Sequence, residues 1–113
     1  MTDYPRRGDI YWIKLDPTMG TETQKTRPCI ILSNNSQNKK GLRVIAAPVT
    51  SKVKTVYPFE AVVIVQGREC KALMDQIRAL DKNRISSKID SIDSSAMFRV
   101  EEALKVAVAL KKD

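Results

Sequence analysis

The strongest constraint on the fold is a series of short apolar runs, rich in β-branched residues, that polar loops separate along most of the chain. Turn-forming residues such as Pro17 and Gly67 bound these runs, which are shorter than a typical helix. The pattern therefore predicts short strands rather than helices. The predicted strands cover residues 8–15, 29–33, 42–49 and 58–65, with shorter strands within 71–80.

Two of these strands carry further information. The second, CIILS, does not alternate between apolar and polar residues, which predicts burial on both faces. The third contains Pro48, which has no N–H to donate, so we expect this residue near an edge or a strand end. Between the two strands, residues 34–41 form a polar connection with room for a helical turn.

The C-terminal segment has helical periodicity instead. The capping candidates Asp93, Ser94 and Ser95 precede it, and Lys111 and Lys112 suit the C-terminal end of a helix dipole. This pattern predicts one amphipathic helix. Its apolar positions are Met97, Val100, Leu104, Ala107 and Val108.

Length and element order together predict one mainly β domain over residues 1–113, a small SH3-like β-barrel with a C-terminal amphipathic helix. No apolar run approaches the roughly 18 residues of a membrane span. The N-terminal residues also lack the apolar stretch of a signal peptide. We therefore expect a cytoplasmic protein with no membrane segment.

Charge is distributed unevenly along the chain. The net charge is +7, and residues 1–57 hold ten basic and four acidic side chains, whereas residues 58–113 hold ten and nine. Between Glu22 and Lys54 there are seven basic side chains and only Glu22 is acidic. A basic surface of this kind suits a polyanion or an acidic protein partner.

The residue types present exclude several kinds of site. The chain has no histidine, which excludes a Ser-His-Asp triad and a histidine-rich metal site. Cys29 and Cys70 are too few for a zinc site or a disulfide scaffold, and single scattered glycines form no phosphate loop. We expect no metal and no cofactor.

Polar residues at strand ends remain as candidates for a site. Arg27 precedes Pro28, which restricts Arg27 to extended backbone at the start of the second strand. Its guanidinium carries five donors suited to a phosphate. Thr50 and Ser51 end the third strand, and they would share that phosphate if the two strands are neighbours. The other interpretation is a solvated arginine and an ordinary β-forming threonine.

The stretch RRGDIYWIKLDPTMGTETQKTRPCIILSN resembles the opening of the MazF/PemK toxins. The resemblance continues through VIAAPVTSK, YPFEAVV and ALMDQIRALDKNRI into the C-terminal helix. It implies a homodimeric SH3-like barrel that cuts single-stranded RNA at short motifs without a metal. It also implies an acidic, MazE-like antitoxin segment that occupies the RNA groove.

The same resemblance implies roles for individual residues. Arg27 and Thr50 fall on the catalytic arginine and threonine of the family, and Glu22 on an acid of the preceding loop. Gln76 falls where RNA contact is expected. Basic and polar neighbours complete the predicted RNA-binding set, which consists of Lys25, Ser51, Lys52, Lys54 and Gln76.

Two other functions fit the same fold. One is a non-enzymatic toxin that poisons DNA gyrase, although the terminus KVAVALKKD lacks the tryptophan-containing tail of such proteins. The other is a nucleic-acid-binding barrel, which would stack bases on exposed aromatic rings. The chain has six aromatic residues, and we expect Trp12 and Phe59 in the core.

Overall fold

The predicted pattern of short strands and one long helix is confirmed, although the sequence predicted no strand over residues 85–91, where the structure has one. The computed structural model describes residues 3–111. In chain order its elements are β1 (Asp9–Lys14), β2 (Thr26–Ile31), α1 (Asn35–Lys40), β3 (Arg43–Thr50), β4 (Glu60–Val65), β5 (Arg68–Leu73), a 3-10 turn (Met74–Gln76), β6 (Arg78–Asp81), a second 3-10 turn (Lys82–Arg84), β7 (Ile85–Ser91) and α2 (Ser94–Ala107).

The strands form an antiparallel sheet that curves back on itself. Its order is β4-β5-β3-β2-β1-β7, and β6 pairs with the first half of β3. The two end strands meet where the backbone N–H of Gln66, after β4, donates to the Asp90 carboxylate of β7 at 2.7 Å. This hydrogen bond and one from the Ser91 N–H lower the pKa of Asp90. The mainly β, barrel-like fold is therefore as predicted.

Pro48 lies where β3 changes partner. Residues 43–46 of β3 pair with β6, whereas Val49 and Thr50 pair with β5. The ladder on that side therefore requires no N–H from Pro48. The residue lies near the end of a central strand, which is one of the two places predicted for it.

Burial on both faces of β2 is also confirmed. Cys29 and Ile31 point into one apolar cluster with Val44 and Leu80, whereas Ile30 points into a second cluster that α2 covers. All three β2 side chains have zero solvent exposure. Because β2 and β3 are buried on both faces, polar groups at their ends are held on a rigid base.

The helix α2 begins where the capping candidates predict. The Asp93 carboxylate accepts from the Ala96 N–H at 2.9 Å, so Asp93 is the N-cap. The helix ends at Ala107, which leaves Lys111 beyond it, and Lys112 lies outside the described residues. Within residues 3–111, no helix has the length and apolar character to cross a membrane.

Candidate active site

A cleft of about 700 Å³ opens where β2 begins and β3 ends. Arg27 and Thr50 both line it. Antiparallel pairing explains their proximity, because the Cys29–Pro48 pair continued two residues further sets Arg27 opposite Thr50. The predicted meeting of the two strand ends is therefore observed.

The Arg27 side chain is oriented by its own loop. Its Nε donates to the carbonyl of Gln24 at 3.1 Å, which is the one hydrogen bond of this guanidinium within residues 3–111. Backbone pairing with Ile13 and the ring of Pro28 fix the main chain at this point. The Nε bond leaves the terminal amino groups available to an anion.

The hydroxyl group of Thr50 is free to act as a hydrogen-bond donor. The backbone N–H of Lys52 donates to the Thr50 Oγ1 at 3.2 Å. Because this bond uses a lone pair of Oγ1, the hydroxyl proton remains able to donate to an oxygen in the cleft. Thr50 is also the register partner of Lys71 on β5.

Three further predicted residues lie in the same cleft. Ser51 and Lys52 follow Thr50 on its wall, and Gln76 comes from the 3-10 turn before β6. The Gln76 side-chain oxygen accepts from the Thr23 N–H at 2.8 Å, so Gln76 also ties the β1–β2 loop to this turn. Its side-chain NH₂ group remains able to donate to another partner.

The remaining predicted residues do not line this cleft. Glu22 lines a neighbouring cavity of about 290 Å³, where its carboxylate accepts from the Met19 N–H at 2.7 Å. Lys25 adopts a left-handed backbone conformation, with φ of 67°, in the loop before β2. Lys54 lies in the loop after β3 and is exposed. The roles predicted for these three residues stay predictions.

The basic side chains of the first half do not form one patch. Arg43 begins β3 and Thr50 ends it, so about 23 Å of strand separates Arg43 from the cleft. Lys39 and Lys40 lie in the last turn of α1 and do not line the cleft. The basic residues that line the cleft are Arg27, Lys52, Arg68 and Lys71, of which Lys71 is paired with Glu60.

Trp12 is a cleft residue that sequence reasoning placed wrongly in the core. Its side chain is 41% exposed and lines the cleft opposite Pro28, its register partner on β2. The neighbours Ile10 and Ile13 are fully buried, because β1 presents them to the two apolar clusters. Phe59 is half-buried and stacks on Tyr57 with ring centroids 5.5 Å apart.

The two thiols are poorly suited to nucleophilic chemistry. Burial raises the pKa of Cys29 to about 12, and burial also raises the pKa of Cys70, which lines the cleft. Both cysteines are free, and both stay protonated near neutral pH. Within the described residues, no group of three or more acidic, cysteine or histidine side chains could hold a metal ion.

Comparison with known proteins relates the chain to one family. Residues 6–108 match the profile of the PemK-like, MazF-like toxins of type II toxin–antitoxin systems. The chain is 34% identical over 110 residues to endoribonuclease MazF of Staphylococcus epidermidis, covering 93% of this chain and 92% of that protein.

Two solved structures show the same fold. The crystal structure of MazF from Deinococcus radiodurans has a TM-score of 0.84 and 27% identity, with 96% of this chain and 100% of that chain covered. A MazE–MazF complex from the same organism has a TM-score of 0.76 and 24% identity, with 97% and 100% covered.

Proposed function

Because the chain belongs to the family of PemK-like, MazF-like toxins of type II toxin–antitoxin systems, we propose that it is a toxin that cleaves single-stranded RNA. The observation that carries the proposal is the shared cleft of Arg27 and Thr50 at the ends of two neighbouring strands. The endoribonuclease names of its relatives support the same reaction.

The chemistry requires little more than positioning and charge. In RNA the 2′-oxygen attacks its own phosphorus while its proton passes to solvent water, and the bond to the 5′-oxygen breaks as that oxygen gains a proton. The products are a 2′,3′-cyclic phosphate and a 5′-hydroxyl. The cleft must therefore hold the strand and stabilise the negative charge that grows on the phosphate.

Arg27 and Thr50 supply complementary donors for this charge. A guanidinium stays protonated far above neutral pH, so Arg27 acts as a fixed clamp rather than as a free base. It can also donate a proton late to the departing 5′-oxygen. The Thr50 hydroxyl donates to a non-bridging phosphate oxygen. We also assign Glu22, in the adjoining β1–β2 loop, to the catalytic set.

The surrounding residues bind the strand on either side. Lys25, Lys52 and Lys54 attract the phosphate backbone, while Ser51 and Gln76 donate hydrogen bonds to it or to bases. An acidic antitoxin segment would use the same basic surface and so exclude RNA. We propose that the active protein is a homodimer, as the family resemblance implies.

The test is a pair of alanine variants. Arg27→Ala and Thr50→Ala should each lower the rate of RNA cleavage at least about a hundredfold, because each removes one transition-state donor worth roughly 3 kcal/mol. Both proteins should keep their circular dichroism and melting temperature. The matched control is Arg43→Ala, which removes an exposed arginine at the other end of β3.

Wild-type cleavage by a folded Arg27→Ala protein would rule out the assigned site. A comparable loss in Arg43→Ala would instead point to general charge rather than to the cleft.

A further inference from the structure

Lys71 and Glu60 form a nearly buried ion pair in the wall of the cleft. The Lys71 Nζ lies 2.7 Å from the Glu60 Oε1, and the two side chains are 11% and 8% exposed. Neither residue stood out in the sequence, because a lysine in β5 and a glutamate at the start of β4 give no pattern. Their register explains the contact, since β4 and β5 are paired along their length.

This pair also holds the loop that follows Thr50. Lys71 Nζ donates to the carbonyl of Thr55 at 2.6 Å, and the Glu60 Oε1 accepts from the Tyr57 N–H at 3.0 Å. The pair thus anchors residues 51–59 at their middle and far end, where the Glu60 and Met74 N–H groups also donate to the carbonyls of Tyr57 and Phe59. Nζ also lies 5.9 Å from the centre of the Tyr57 ring.

The pair lies next to the residues that the proposed function assigns to RNA binding. Lys71 is the register partner of Thr50, so it sits beside the residue from which the loop departs. The loop carries Ser51, Lys52 and Lys54, which the proposed function assigns to RNA binding. Four of the five residues from Thr55 to Phe59 are exposed, so packing alone does little to hold this part of the loop.

We propose that Lys71 and Glu60 are positioning residues that hold the 51–59 loop in its RNA-binding conformation and thereby set affinity and sequence preference. This inference rests on the proposed RNA cleavage for its functional consequence. A buried ion pair contributes little net stability compared with apolar side chains of similar size. Its structural effect is therefore the orientation of the loop.

The experiment is a double-mutant cycle of Lys71→Met, Glu60→Gln and the two combined. The combined variant removes both charges at similar volume and so avoids the unpaired buried charge that would destabilise Lys71→Met. The control is Lys105→Met, which removes a partly exposed lysine paired with Glu102 on α2.

The first measurement is amide hydrogen exchange, which does not depend on RNA cleavage. In the combined variant the amide of Tyr57, whose N–H donates to Glu60, should exchange about tenfold faster or more, while the core amides of Val44 and Val63 keep their protection. Unchanged exchange in the loop would overturn the proposal even if the protein cleaves RNA as proposed.

The second measurement is cleavage of short RNAs that differ in sequence around the cut. The combined variant should raise KM about tenfold, keep kcat within about threefold and discriminate less between the RNAs. Its defect should be no larger than that of Lys71→Met, because the two residues act as a unit.

Other outcomes have distinct meanings. One such outcome combines additive defects of the two single variants with the release of about one counterion fewer on RNA binding in every Lys71 variant. It would show that Lys71 contacts a phosphate directly and would overturn the positioning role. If the parent protein cleaved no RNA, the proposed function would fail, whereas the exchange measurement would still decide the role of the pair.

Discussion

At the scale of single residues, the absence of histidine changes how a cleft can act on a phosphate. A guanidinium offers fixed charge and fork-like geometry but no proton equilibrium near neutral pH, so its value depends on being held still. The Nε bond to Gln24 and the backbone pairing with Ile13 restrain Arg27 in this way. The reacting group must then come from the substrate.

The first prediction at this scale concerns the nucleophile. An RNA with a single 2′-deoxy sugar at the scissile position should resist cleavage, because the 2′-hydroxyl is the attacking group. The all-ribose substrate should be cut, also in EDTA, to products with a 2′,3′-cyclic phosphate and a 5′-hydroxyl. End-labelling and mass spectrometry would identify these product ends. The control is an RNA whose single 2′-deoxy sugar lies one nucleotide away from the scissile position, and it should be cut normally.

Cleavage of the scissile deoxy substrate at the normal rate would require water as the attacking group. The role of Arg27 would then change from stabilising an intramolecular attack to orienting a water molecule.

At the scale of elements, the sequence predicts most of what forms. The non-alternating run of β2 requires burial on both faces, and the two apolar clusters provide it. Helical periodicity and a capping residue likewise identify α2. These predictions succeed because they depend on period and local hydrogen bonding, which a single segment contains.

The cleft was less predictable for a physical reason. Trp12 has the composition of a core residue, and its exposure follows only from the opening between β1, β2 and β5. The pairing of Lys71 with Glu60 depends on the register of β4 and β5, which distant parts of the chain determine. Arg27 and Thr50 were candidates because they lie at strand ends that meet if the two strands are neighbours, and their proposed roles came from the resemblance to the MazF/PemK toxins. The β2–β3 register then brings the two residues together.

The helix cap provides a prediction at the element scale. Asp93→Ala should lower the free energy of unfolding by about 1 kcal/mol, because the Ala96 N–H loses its acceptor at the start of α2. Asp93→Ser is the matched control, since a serine oxygen can accept the same bond. Thermal and urea unfolding would measure both, and equal stability of the alanine and serine variants would contradict the capping role.

At the scale of the whole molecule, charge is organised by the fold rather than by the chain order. Seven basic residues lie between Glu22 and Lys54, yet α1 and the length of β3 carry three of them away from the cleft. Lys52 remains on its wall with Arg27 and Arg68. The cleft therefore keeps a local excess of basic side chains that suits a polyanion.

The last prediction follows from this asymmetry and concerns the partner. An acidic segment that is disordered when free should bind the surface of Lys25, Arg27, Lys52 and Lys54 and compete with RNA. Both ligands should weaken steeply with salt, because each displaces counterions from the same basic groups. Bidentate pairing of carboxylates with Arg27 would favour the bound segment.

Charge reversal tests this competition with a control of equal net charge. Lys52→Glu/Lys54→Glu should weaken the binding of single-stranded RNA and of an acidic antitoxin peptide together, as titration calorimetry or fluorescence anisotropy would measure. Lys39→Glu/Lys40→Glu changes the same total charge on α1, away from the cleft, and should affect both ligands far less. If peptide binding stayed intact while RNA binding collapsed, the partner would sit elsewhere and inhibit without occupying the cleft.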